Sequence, residues 1–243
     1  MTVKRETRDI FRYAAPFATW IALQTILPAA AWAYAARTVA TALVGIYCWR
    51  FATGETHVVT VEESACRSGE TPLPPRVGRA CRDLAVGLLV GVLVTVLWIA
   101  PERSAFYRTW FCWPLGSLPA SSPAPSPYEP AVCGWALTVA KLIGSAFVIA
   151  PVEEVFFRSF LYRWLQKRDF LSVPLSRFNL SAFLWTVFLF TLEHDRPLAA
   201  AVAGALYGLA AVRFGLAGAI TAHVTTNLLL ALYVIHQNAW SFW

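Results

Sequence analysis

Ala150-Pro151-Val152-Glu153-Glu154-Val155-Phe156-Phe157-Arg158 lies near the middle of an apolar run from Trp135 to Leu165. A run of that length spans a bilayer, which takes about 20 apolar residues, yet it carries two adjacent carboxylates and a guanidinium. Charges at membrane depth are costly and by default mark a functional site with a partner nearby. Helix spacing divides these charges. Glu154 and Arg158 stand four residues apart with the acid first, the favourable order for an ion pair on one face. Glu153 points about 100° away and has no such local partner. Pro151 removes a backbone donor, so a kink or a fresh helix start is expected there, with both carboxylates near exposed amides. One carboxylate is thus committed to structure and the other is available. An available carboxylate in a low-dielectric site suits general base work. On this stretch alone, a purely structural reading in which both glutamates lock helices together fits equally well.

The rest of the chain has the same character. Of 243 residues, 58% are hydrophobic and only 14% charged, where a soluble domain has about a quarter charged. The mean hydropathy is +0.54. The predicted fold class is all-α: a polytopic helical membrane bundle of about seven transmembrane helices. The spans read as Ile10–Leu27, Ala30–Phe51, Leu84–Ala100, Trp135–Leu165, Ser181–Glu193, Pro197–Arg213 and Leu216–His236. Six or eight result if the runs around Pro28 are divided differently. Residues 52–83 and the Pro-rich 101–134 are extramembrane loops. Residues 1–134 thus hold the first helices and two loops, and 135–243 form a second, chemistry-bearing half of one structural domain.

With the N-terminus inside, fourteen Lys and Arg fall on inner segments and three (Arg103, Arg108, Arg196) on outer ones, while Arg37, Lys141 and Arg158 lie within spans. This bias predicts an integral membrane protein with a cytoplasmic N-terminus. The net charge of +6 therefore sets topology and meets membrane lipids; nucleic acid is not implied. Gly87 with Gly91, and Gly204 with Gly208, put small residues on one helix face for close packing. Trp240 and Trp243 suit an interfacial belt. The five cysteines have no CxxC spacing; Cys112 and Cys133 share a loop, where a disulfide and two separate thiols are equally compatible.

Two histidines lie within or at the ends of the last spans. Phe190-Thr191-Leu192-Glu193-His194 closes the fifth, and His223 with Asn227 stands inside the seventh. His223 and Asn227 are one turn apart on one face, and both can donate toward a common point.

Glu-Glu-x-x-x-Arg (Glu153, Glu154, Arg158), Phe-x-x-x-His (Phe190, His194) and His-x-x-x-Asn (His223, Asn227), in that order on three apolar segments, resemble the three motifs of the CPBP intramembrane proteases. That family, also called Abi, includes the type II CAAX prenyl endopeptidase. The likeness covers about Trp135 to His236, and the context of the first motif also resembles the bacterial CAAX protease-related branch that accompanies exosortase systems. The resemblance implies a glutamate-type peptidase acting on a membrane-associated protein or peptide substrate. Glu153 and His194 would activate water, His223 and Asn227 would donate to the oxyanion, and Glu154 with Arg158 would be the supporting pair. No cofactor is predicted. A zinc ion, should one be bound, would draw on Glu153, His194 and His223, and Glu193 and Asp195 beside His194 leave that open.

Two other classes fit the same residues: a membrane scaffold or immunity-type partner that works by binding, and an ion-coupled transporter using Glu153 and the histidines as a relay. Lack of an inverted repeat in the hydropathy argues against the transporter. For His194 to meet Glu153, the fifth span must start deep, near Phe183, and break at residues 194–197 inside the bundle. Irregular backbone at that depth requires a polar cavity, expected here to open on the inner side.

Overall fold

The computed structural model describes residues 2–53, 76–104 and 125–243, and they are helical, with no strand among them. Helix α1 (Thr2–Ile26) and α2 (Ala31–Thr53) form an antiparallel pair joined by the turn at Pro28. Helix α3 (Arg76–Ile99) follows, then α4 (Trp135–Trp164) and α5 (Leu180–Thr191). The last helical stretch, Pro197–Gln237, is interrupted at Gly215, whose φ of 76° and ψ of 177° are open only to glycine. That residue separates α6 (197–214) from α7 (216–237). Tyr207 and His223, eight residues to either side of Gly215, stack with ring centroids 4.6 Å apart, so the two arms double back as a hairpin.

Seven helical segments thus stand close to the seven predicted spans. Among the described residues, Ala80–Ile99, Trp135–Trp164 and Pro197–Gln237 are long and apolar enough to cross a membrane. The molecule is a helical membrane bundle. α1 and α2, read as spans above, do not reach that threshold. α1 opens with Lys4, Arg5, Glu6, Arg8, Asp9 and Arg12, and α2 carries Arg37 and Arg50. The two lean on the rest of the bundle, where Phe17 stacks on Phe156 at 4.2 Å. Cys66, Cys112 and the bulk of both long loops lie outside the described residues, and with them the Cys112–Cys133 pairing.

Contacts between elements sort the bundle into two ends. Tyr13 meets Phe170 edge-on at 5.2 Å, and the Arg82 guanidinium lies 5.8 Å from the Phe214 ring. The start of α1, the start of α3, the 163–177 connection and the hairpin tip therefore share one end, and it is rich in Arg and Lys. At the other end Arg196 pairs with Glu102 at 2.7 Å and donates to the Ser241 carbonyl at 2.8 Å. The end of α3, the start of α4, the 192–196 loop and the C-terminus meet there.

Two features hold the site-bearing helices. A Cβ on Gly91 would stand 2.5 Å from Thr225 Cβ, and one on Gly87 would stand 2.7 Å from the Gly218 carbonyl. These glycines let α3 run against the backbone of α7, and Thr226 donates to the Gly91 carbonyl at 3.0 Å. Gly204 and Gly208 face Phe190 and Phe183 in the same manner, so both glycine pairs serve packing. At Pro151 the outcome differs from the expected break. α4 is continuous, and the residues flanking the proline keep right-handed helical angles. Two π-helical turns, Gly144–Ile149 and Val155–Leu161, flank it instead. A wider turn accommodates the ring and the missing donor without ending the helix. The carboxylates therefore do not sit at a free helix start, and their stabilisation has to come from side chains.

Candidate active site

Glu154 and Arg158 form the expected pair. Arg158 Nη1 lies 3.1 Å from Glu154 Oε1, and both side chains are shut off from solvent. Arg158 also donates to the Gly204 carbonyl at 3.1 Å and lies over the Phe190 ring at 4.6 Å. This ties α4 to α6 and to the end of α5. A contact the sequence did not reveal joins the same carboxylate: His223 Nδ1 is 2.9 Å from Glu154 Oε1. A carboxylate can only accept, so Nδ1 carries the proton and donates. That bond, with Tyr207 stacked on the ring, turns Nε2 toward Glu153, whose Oε2 is 3.7 Å away. Glu154 is therefore the orienting group of His223 as well as the partner of Arg158.

Glu153 is 8% exposed, and among the described residues His223 is the one basic group within ion-pair distance of it. The carboxylate faces a cavity of about 180 Å³ that is also lined by His194, His223, Asn227, Ser145 and Tyr207. His194 enters from the 192–196 loop. α5 has 12 residues and rises about 18 Å, short of the roughly 30 Å hydrocarbon core. Its far end thus stops within the bundle, and the loop folds over the cavity. The helix begins at Leu180, so the break near His194 is as expected but the deep start near Phe183 is not. His194 Nδ1 lies 2.8 Å from the Phe190 carbonyl. A carbonyl only accepts, so this nitrogen donates and the lone pair is on Nε2. Asn227 donates one amide hydrogen to the Ser145 carbonyl at 3.0 Å, in the first π-helical turn of α4; its second hydrogen is unassigned. All seven motif residues are thus brought to one place, five of them on the cavity wall.

Residues 135–229 match the family model described as Type II CAAX prenyl endopeptidase Rce1-like. This segment of the chain is similar to that family. It contains all seven motif residues placed above and ends short of the last turns of α7. No curated protein and no solved structure matches the chain, and the exosortase-associated branch finds no support in these comparisons. The match suggests peptidase activity of the CAAX intramembrane type, and with the apolar helices it points to an integral membrane protein.

The cavity of the Rce1-like segment does not reach the end expected for it. Trp98, Asp195, Arg196, Phe242 and Trp243 frame it, and these belong to the end opposite the Arg- and Lys-rich one. An opening on the inner, basic side is therefore corrected to the other side. The depths of Glu153 and α7 do not fix the mouth; the short α5 and the C-terminal turn do. Lys141, Trp98 and Trp243 were missed as lining residues. Lys141 was legible as a charge within a span, whereas Trp243 had been assigned only to an interfacial belt.

The donor set was also tested against a metal. Among the described residues no group of three or more His, Cys, Asp or Glu side chains is arranged to hold an ion. Each histidine donates from Nδ1 and keeps Nε2 free, as a metal ligand would, but Glu153 and His223 stand 3.7 Å apart with no third donor converging among the described residues. The side chains as placed do not fit a zinc shell.

Proposed function

We propose that this chain is an endopeptidase that cuts membrane-associated protein or peptide substrates with a water activated by Glu153 and His194. The observation that carries the reading is the division of the two glutamates: Glu154 is fully buried and held through Oε1 by both Arg158 and His223, while Glu153 faces the cavity without a hydrogen-bond partner. Water held between the Glu153 carboxylate and His194 Nε2 gives a proton to Glu153 as its oxygen attacks the scissile carbonyl. The oxyanion that forms accepts hydrogen bonds from the Asn227 amide and from a protonated His223 Nε2, with the Glu154 carboxylate as countercharge behind the imidazolium. Collapse of the intermediate returns the proton to the departing amine. Each oxyanion donor is worth about 2.7–4 kcal/mol of transition-state stabilisation. The proposed chemistry uses no metal, so a chelator should leave activity intact.

Purified protein with Glu153→Ala or His194→Ala is expected to lose cleavage while keeping its fold. Full activity in either variant overturns the mechanism, and variants that still support the cell's phenotype move the protein to the scaffold class. The excess of Lys and Arg at one end of the bundle supports a cytoplasmic N-terminus in a bacterial inner membrane, which puts the cavity on the extracytoplasmic side. In a cysteine-free background, Ser241→Cys should react with an impermeant maleimide in intact cells and Lys167→Cys should not; the reverse pattern inverts the topology.

A further inference from the structure

Two cations that the hydrolysis proposed above does not use stand close together, one of them on the cavity wall and the other buried behind it. Lys141, on α4 between the mouth and Glu153, lines the cavity. Its Nζ lies 4.0 Å from the centroid of Tyr34 and 4.8 Å from that of Tyr128. Arg37 of α2 is buried, with its guanidinium 5.0 Å from Tyr34 and 4.7 Å from Trp20. The two charges flank one ring and so lie within about 9 Å of each other. Among the described residues neither has a carboxylate within ion-pair distance, and Arg37 Nε is buried with no hydrogen-bond partner. Glu153 and Asp195 share the cavity with Lys141 but lie beyond that distance.

Like charges held together away from water repel, and a buried cation without a counter-ion is normally neutralised or paired. Aromatic faces offset part of that cost and leave the net charge in place. Both residues sit in segments read as membrane spans, where a charge marks a functional site with a partner, and the cavity beside them is where an anion would enter. Twelve residues of helix, roughly 18 Å along its axis, separate Lys141 from Glu153, with Lys141 toward the mouth. We infer that Lys141, backed by Arg37, is a binding site for a carboxylate of the peptide substrate, set a few residues to the mouth side of the scissile bond. The inference rests on the peptidase reading for its choice of ligand. Either an acidic side chain or a free C-terminus supplies that chemistry.

The test is a binding titration of the purified full chain, followed by the fluorescence of Trp98 and Trp243 at the cavity. The probes are matched apolar N-acetyl peptides: one ending in a carboxylate, one in a carboxamide, and a carboxamide pair carrying an internal Glu or Gln. In wild type and in Glu153→Gln, the acid of at least one pair should bind roughly 10- to 100-fold more tightly than its amide, the range of a charge-assisted hydrogen bond. Lys141→Gln should bring that ratio to about one without weakening the amide probe, and Lys141→Arg should keep it. Which pair responds tells a side-chain carboxylate from a terminal one. Equal binding of acid and amide by wild type, or a preference that survives Lys141→Gln, overturns the inference. Should the Lys141-dependent preference hold while wild type cuts no peptide, the carboxylate site stands and the hydrolytic reading falls.

Discussion

Replacing either glutamate by glutamine keeps the shape and removes one charge, and the surroundings predict opposite consequences. Glu154 is fully buried, 3.1 Å from Arg158 and 2.9 Å from His223. Glu154→Gln leaves a guanidinium that is 1% exposed without its counter-ion. Breaking a buried pair in this way costs about 3–5 kcal/mol, or about two to four orders of magnitude in the folding equilibrium. The amide oxygen of the new side chain can still accept from His223 Nδ1, so part of the orientation survives. Glu153 has no hydrogen-bond partner, and its nearest partner atom is 3.7 Å away. Glu153→Gln removes a desolvated charge and no bond, so stability should change by less than about 1 kcal/mol, while turnover is lost. The assay is equilibrium unfolding in detergent, paired with cleavage of a membrane-embedded reporter. Equal destabilisation by the two substitutions, or larger destabilisation by Glu153→Gln, refutes the division of roles on which the account depends.

Three further outcomes are expected. Asn227→Ala removes a donor facing the cavity and should lower kcat about 10²- to 10³-fold with little change in KM; an unchanged kcat removes Asn227 from the oxyanion role. Gly91→Ala puts a methyl 2.5 Å from Thr225 Cβ, so α7 must shift, costing about 1–3 kcal/mol and lowering activity through His223; wild-type stability and rate would contradict the close approach. Gly215→Ala forces a side chain into glycine-only backbone at the hairpin tip, far from the cavity. Thermal stability should fall by about 1–3 kcal/mol while kcat of the folded fraction stays at the wild-type value.

What the sequence could reveal followed from whether an interaction is local. The Glu154–Arg158 pair was readable because four residues of helix bring the side chains together. The glycine pairs and the helix breaks at Gly215 and His194 were readable from local chemistry as well. The bond between Glu154 and His223 crosses 69 positions, and no spacing rule reports it, so Glu154 was given one duty and has two. Pro151 was read as a break because a proline costs an α-helix its ladder bond; flanking π-helical turns absorb that cost, and no pattern of residue types announced them. The end on which the cavity lies was misplaced because it depends on where the short α5 stops and where the C-terminal turn packs. Lys141 was counted with the charges inside spans and then left aside, although the reasoning that singled out Glu153 applied to it equally.

The central claim is that this membrane protein hydrolyses a peptide bond through Glu153. Quantitative comparison of protein termini in membranes carrying the wild type or Glu153→Gln, at equal expression, tests it most directly. The account predicts at least one membrane-associated protein that accumulates uncut in the variant, together with loss of the matching new terminus. Identical sets of termini in the two membranes, with the wild-type protein folded and abundant, would contradict it.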